Sequence, residues 1–363
     1  MRHAIRLGTF FAMGIGLTAP MLASSGGAVG AVYVMSNAPG ANQVVAYQRA
    51  ADGTLGSPAA YATNGAGTGA ALNSQGAVVV SDDHQLLFVV NAGSNTVSSF
   101  RIGSHGLELA DTVPSGGTRP TSITFSHGLI YVLNAGVPNN VTGFTVDTKG
   151  GLSQIPGSSR ALSGPSTNPA QIQFDRNGDT VVVSERATNL LDVFLVAPDG
   201  TLTGPFSNPS SGPVPYGFDI AQRHTLLVSE AGAGGGASSY IIEGSGGLTA
   251  VSSMLMTGQR AACWTVVTKN GRFGYVINAG TGNISGFTIA PDGSASLLNE
   301  DGVTAVTGGN PTDAALSGDS RFLYVRVGAL NTIRVFGIEA DGSLTALPSL
   351  AGTPTGLAGL AAF

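Results

Sequence analysis

The chain has 363 residues and a formal net charge of -5; 10% of its residues are charged and 42% are hydrophobic. That balance excludes a disordered chain, and 54 glycines with no three-residue period exclude collagen. With Lys149 and Lys269 as its only lysines, the surface has no electrostatic basis for binding nucleic acid or an anionic membrane.

Residues 1–25 read as an export signal peptide. Arg2, His3 and Arg6 precede the apolar run Leu7 to Leu17, and the small residues Ala23, Ser24 and Ser25 follow it. The run is shorter than the ~20 residues a spanning helix needs. The expectation is a periplasmic or extracellular mature protein with no membrane span. Cys263 is the only cysteine, so neither a disulfide scaffold nor an N-terminal lipid anchor is expected.

Residues 31–363 read as one domain built from seven repeats. Most begin with an apolar segment closed by Asn or Glu, often followed by Ala-Gly. An alternating segment with an aromatic residue comes next, then Asp-Gly or Gly-Gly and usually Leu. In chain order the copies run Val32 to Leu55, Leu87 to Leu107, Ile130 to Leu152, Val181 to Leu202, Leu226 to Leu248, Tyr275 to Gly293 and Leu323 to Leu344. Their spacing scatters around ~48 residues, the length of a propeller blade. Alternation over five or six residues is the period of a strand, and Asp-Gly between two such runs is a tight-hairpin signal.

The apolar segment is strand b, the aromatic one c, and the run after Asp-Gly d. A further apolar segment, strand a, precedes most b strands and often opens on proline, as at Pro120, Pro169, Pro215 and Pro311. Repeat one lacks a strand a. The C-terminal run Pro354 to Ala361 resembles one and has no strand b after it. The predicted fold is therefore all-β, a seven-bladed β-propeller closed by a C-terminal strand in the first blade.

The repeat text resembles the lactonase-family propellers, which include bacterial 6-phosphogluconolactonase and fungal carboxymuconate lactonizing enzymes. Gly271 to Asn278, Ser320 to Val325 and Ala290 to Gly293 carry the likeness, which covers essentially the whole mature chain. The resemblance implies functional His, Arg and acidic residues at the starts of a strands and the ends of b strands. Ala170-Gln171 stand where blade four of the family has His, and Leu190 replaces an Arg. Tyr216-Gly217 replace Arg-His in blade five, and Cys263-Trp264 fall where blade six has Glu. Acidic residues persist at Glu185 and Glu230.

In a propeller the starts of a strands and the b–c turns share one face. That face is expected to collect Gln171, Tyr216, Trp264 and Asp313, with Arg119, Arg186 and Arg260 in adjacent turns, as ligand contacts. Glu185 and Glu230, where most other blades have Asn, are the candidate catalytic pair, with a carboxylate acting as general base on water. The alternative is that these residues cap the b–c turn. His84, His127 and His224 fall in a–b turns and His105 in a c–d turn, on the opposite face. Asp175 to Asp179 fit an a–b turn rather than a calcium loop, and Gly232 to Gly236 a b–c loop rather than a phosphate loop. Neither metal nor cofactor is expected. The expected ligand is a small lactone or carboxylate at the channel mouth of a monomer, and the expected activity is hydrolysis of an unphosphorylated lactone. A non-catalytic propeller that binds a ligand or a cell-envelope protein is the alternative.

Overall fold

The computed structural model describes residues 27–363; the signal-peptide reading falls on residues outside those described. Seven antiparallel sheets follow one another along the chain, and within each the strands pair in the order a, b, c, d. Each a strand touches the a strands on either side, so the seven form a ring around a central channel. The first strand begins at Ala28, three residues before the expected start of the domain. Among the described residues, helix is confined to two short 3₁₀ turns, Gln222–His224 and Gly328–Leu330. No helix among the described residues is long and apolar enough to cross a membrane.

The C-terminal strand closes the ring. Ala358–Ala362 pairs antiparallel with Ala28–Met35, with Val32 opposite Ala362 and Tyr33 opposite Ala361. The first blade thus holds both ends of the propeller, and Ala28–Met35, paired on both sides, is not left as an open edge.

Two parts of the repeat signature prove to be one contact. The strand-b tyrosine of one blade donates its hydroxyl to the carbonyl of the c–d turn glycine in the next. Tyr131 reaches Gly200 at 2.7 Å, Tyr275 reaches Gly342 at 2.9 Å, and Tyr324 reaches Gly53 across the closure at 3.0 Å. The turn glycines sit at φ of 76°, 88° and 87°, which only glycine adopts without strain. The aromatic residue of each strand c completes the core: Tyr47, Phe100, Phe144, Phe194, Tyr240, Phe287 and Phe336, one per blade, are all buried.

Candidate functional site

Strand b ends on Asn91, Asn134, Glu185, Glu230 and Asn278 in blades two to six, and all five are fully buried. In blades two, four, five and six these side chains meet strand c of their own blade, and in blades two to five they meet the segment arriving from the blade before. In blade two, Asn91 Oδ1 accepts from the Thr63 hydroxyl at 2.7 Å, while Nδ2 donates to Ser98 Oγ at 2.8 Å. In blade six, Asn278 Nδ2 donates to Ser285 Oγ at 2.8 Å.

Glu185 and Glu230 occupy this register. The Glu185 carboxyl accepts from the Ser163 N–H at 3.1 Å, from the Ser163 hydroxyl and from the Thr188 hydroxyl at 2.6 Å. Asp192 stands beside it, where other blades carry Ser98, Ser238 or Ser285. Burial and the neighbouring Glu185 carboxyl push Asp192 up to about 7. Glu230 Oε1 accepts from the Ser210 hydroxyl at 2.7 Å, and burial pushes this carboxyl up to about 7.

The two glutamates share no hydrogen-bond partner and belong to different blade interfaces. Their expected convergence on the channel mouth is corrected: the last side chain of strand b points into the seam between blades. Gln171 is also corrected. Its amide oxygen accepts the Phe218 N–H and its amide nitrogen donates to the Phe218 carbonyl, both at 2.8 Å, so it ties blade four to blade five.

The channel itself is crossed near its mouth. Ser74 and Gln75, leading into blade two, reach blade six on the far side of the ring. Trp264 Nε1 donates to the Ser74 carbonyl at 3.0 Å; Gln75 accepts the Thr265 N–H at 2.9 Å and donates to the Thr265 carbonyl at 2.6 Å. Trp264 is thus held by its indole N–H, with the Tyr216 ring tilted against it at 5.4 Å. Below this crossing lies a cavity of about 640 Å³ that reaches the a–b turn face, with Gln75 at one end and His84 and Lys269 at the other. His84, His127 and His224 stand in those turns at positive φ, as their a–b placement requires.

On the mouth side of the crossing, Arg186 lies over the Tyr216 ring at 4.8 Å and is braced by Asn168, its Nη2 donating to Asn168 Oδ1 at 2.7 Å. Burial holds the Arg186 guanidinium below its ordinary value, and nearby Arg119 acts in the same direction. Arg119 is exposed at φ 53°. Arg260 is exposed and donates to the Gly280 carbonyl at 3.2 Å, at the rim between blades five and six. Burial pushes the Cys263 thiol up to about 12, which leaves it inert as a nucleophile. Asp313 is buried at the start of strand a in blade seven, and burial pushes its carboxyl up to about 8. Directly across from it on strand b is Arg326, half-buried, which sequence reasoning missed. The missing signal was a cross-strand register that the repeat text alone does not align. Among the described residues, no group of three or more His, Cys, Asp or Glu side chains could hold a metal.

The family model for "Lactonase, 7-bladed beta-propeller" matches residues 30–156, 137–258 and 229–357. The chain belongs to the lactonase family. No curated protein matches it. Among solved structures, a candidate 6-phosphogluconolactonase from Bacteroides fragilis superposes with a TM-score of 0.73 at 16% identity, covering 92% of this chain and 98% of that one. A periplasmic gluconolactonase from Pseudomonas aeruginosa gives 0.71 at 19% identity, covering 90% and 98%. At such identities the likeness speaks for the fold. This chain has acidic residues in the blade-four and blade-five seams, and Arg119, Arg186, Arg260 and Arg326 on the mouth side.

Proposed function

We propose that this propeller is an exported lactone hydrolase that opens a small unphosphorylated lactone, of the sugar or carboxylic-acid type, at the channel mouth. The observation that carries the reading is the set of guanidinium groups at the mouth of a lactonase-family propeller. Arg119, Arg186 and Arg326 lie on that face, and among the described residues none of them forms an ion pair with a carboxylate. Two of them, Arg186 and Arg326, are held below their ordinary values by burial. A desolvated cation with no carboxylate in direct contact is costly, and such groups concentrate at functional sites. Lactone hydrolysis develops negative charge on the carbonyl oxygen and ends in a carboxylate, and both are stabilised by such donors. Tyr216 and Trp264 supply an aromatic floor for the ring of the ligand, and Arg260 stands at the rim.

The preference for an unphosphorylated substrate rests on the expected export. The basic residues Arg2 and Arg6 ahead of Leu7 to Leu17 support export. Sequencing the N-terminus of protein recovered outside the cytoplasm tests it: the mature chain should begin near Ala23 to Ser25. An intact Met1 on all of the protein would overturn it.

The enzymatic reading is tested by ring opening of neutral, carboxylated and phosphorylated lactones by wild type and by Arg186→Gln. The expected outcome is hydrolysis of a neutral or carboxylated lactone, with kcat/KM reduced about tenfold or more in the variant. Failure of wild type to open any of them would remove the hydrolase and leave a ligand-binding propeller. The commitment of the Gln171, Glu185 and Glu230 side chains to seams between blades favours that second reading.

A further inference from the structure

Asp313 and Arg326 face each other across strands a and b of blade seven as direct register partners. Opposite charges so placed ordinarily close into an ion pair. Here no nitrogen–oxygen contact of 4.0 Å or less joins them. Asp313 Oδ1 accepts the Ala314 N–H at 2.9 Å, but Oδ2 is buried without a hydrogen-bond partner, as is Arg326 Nε. The hydroxyl of the adjacent Thr312 is also buried and unpartnered. Thr312 Oγ1 and Arg326 Nη1 both flank Gly328, where an added Cβ would lie 3.7 and 3.4 Å from them. An acceptor, a donor and a hydroxyl are thus left unsatisfied around this buried pair, each at a cost to stability. Native proteins retain such groups where a small polar molecule or a reaction uses them.

We propose that Asp313 and Arg326 hold and activate the water that opens the lactone ring. The inference rests on the hydrolase reading and names the reacting groups within that site. The Asp313 carboxylate takes a proton from the water as the water oxygen bonds to the lactone carbonyl carbon. Arg326 donates to the carbonyl oxygen as charge develops there. The ring C–O bond then breaks, and the proton passes from Asp313 to the departing ring oxygen, which gives the hydroxy acid. No other reactant is needed. The glutamates at the ends of strand b cannot take this part from within their seams. The groups that face Asp313 are Arg326 on strand b, the Leu360 N–H on the closing strand, and Tyr216 across the mouth. Arg326 favours the carboxylate, and burial, the larger effect, opposes it.

Trp264 is the chain's only tryptophan, so its fluorescence reports on the mouth. The experiment measures gluconolactone opening over the spontaneous rate, its pH profile, and quenching of Trp264 by gluconate, in wild type, Asp313→Asn and Arg326→Gln. Wild-type kcat/KM should rise with pH and level off above about 8, where Asp313 is ionised. Asp313→Asn should lower kcat about 100-fold or more and flatten that rise, while still binding gluconate. Arg326→Gln, which keeps an amide donor at this half-buried position, should lower kcat about 100-fold or more and keep the pH rise. Wild-type kcat and pH profile in Asp313→Asn, or wild-type kcat in Arg326→Gln, would overturn the assignment and leave the hydrolase standing. Absence of turnover by wild type on every lactone would overturn both.

Discussion

At the scale of single residues, the most telling substitutions are the acids in the seams of blade four. An Asn at the end of strand b has a donor and an acceptor and satisfies both neighbours, as Asn91 does with Thr63 and Ser98. A carboxylate there can only accept, so the chain surrounds Glu185 with the donors Ser163 and Thr188 and Glu230 with Ser210. Asp192 adds a second acid beside Glu185 and is pushed up to about 7, as is Glu230. Because these folded values lie above the ordinary ones, the folded state binds the extra protons. Their stabilisation is complete below about pH 4 and is lost as pH rises towards 7. Asp192→Asn removes one of these titrations and keeps the shape. The stability of the variant relative to wild type, read from urea melts, should therefore climb between about pH 4 and 7, by about 2–4 kcal/mol. A difference that stays constant over that range would show that Asp192 carries no extra proton. The candidate glutamates were legible as unusual letters in a repeat. That they face a seam was not, because the turn in which strand b ends decides the direction of its last side chain.

At the scale of elements, the repeat signature was legible almost in full. Strand periodicity, turn glycines and the spare strand at the C-terminus all follow from local chemistry, and the structure keeps them. What the text could not state is why tyrosine and Asp-Gly recur together. The answer is a hydrogen bond between successive blades, seen in Tyr131, Tyr275 and Tyr324. The closing strand puts the two termini in one sheet, with the Tyr324–Gly53 bond beside it. Deleting residues 354–363 should therefore expose the edge of Ala28–Met35 and remove Leu357 and Leu360 from the core they share with Val32 and Tyr324. The truncated chain should melt at least ~10 °C lower and self-associate, as an open edge does. A truncated monomer that melts like the full chain would show that the ring does not depend on this strand.

At the scale of the whole molecule, the channel is not one space. Ser74 and Gln75 cross it to meet Trp264 and Thr265, and the mouth with its arginines lies on one side of that crossing. The 640 Å³ cavity lies on the other, towards the a–b turns. The far-face histidines accordingly belong to the end away from the proposed reaction. The sequence by itself determined seven blades, the identity of the closing strand and the face on which each turn lies, because repeats of strand and turn are local properties of the chain. Only the tertiary structure decided which polar residues meet. Blade two reaches blade six, Glu185 turns into a seam, and Asp313 comes opposite Arg326, because each contact depends on ring curvature, strand register or the a-strand bulge between Pro311 and Asp313. None of these is encoded within a single repeat.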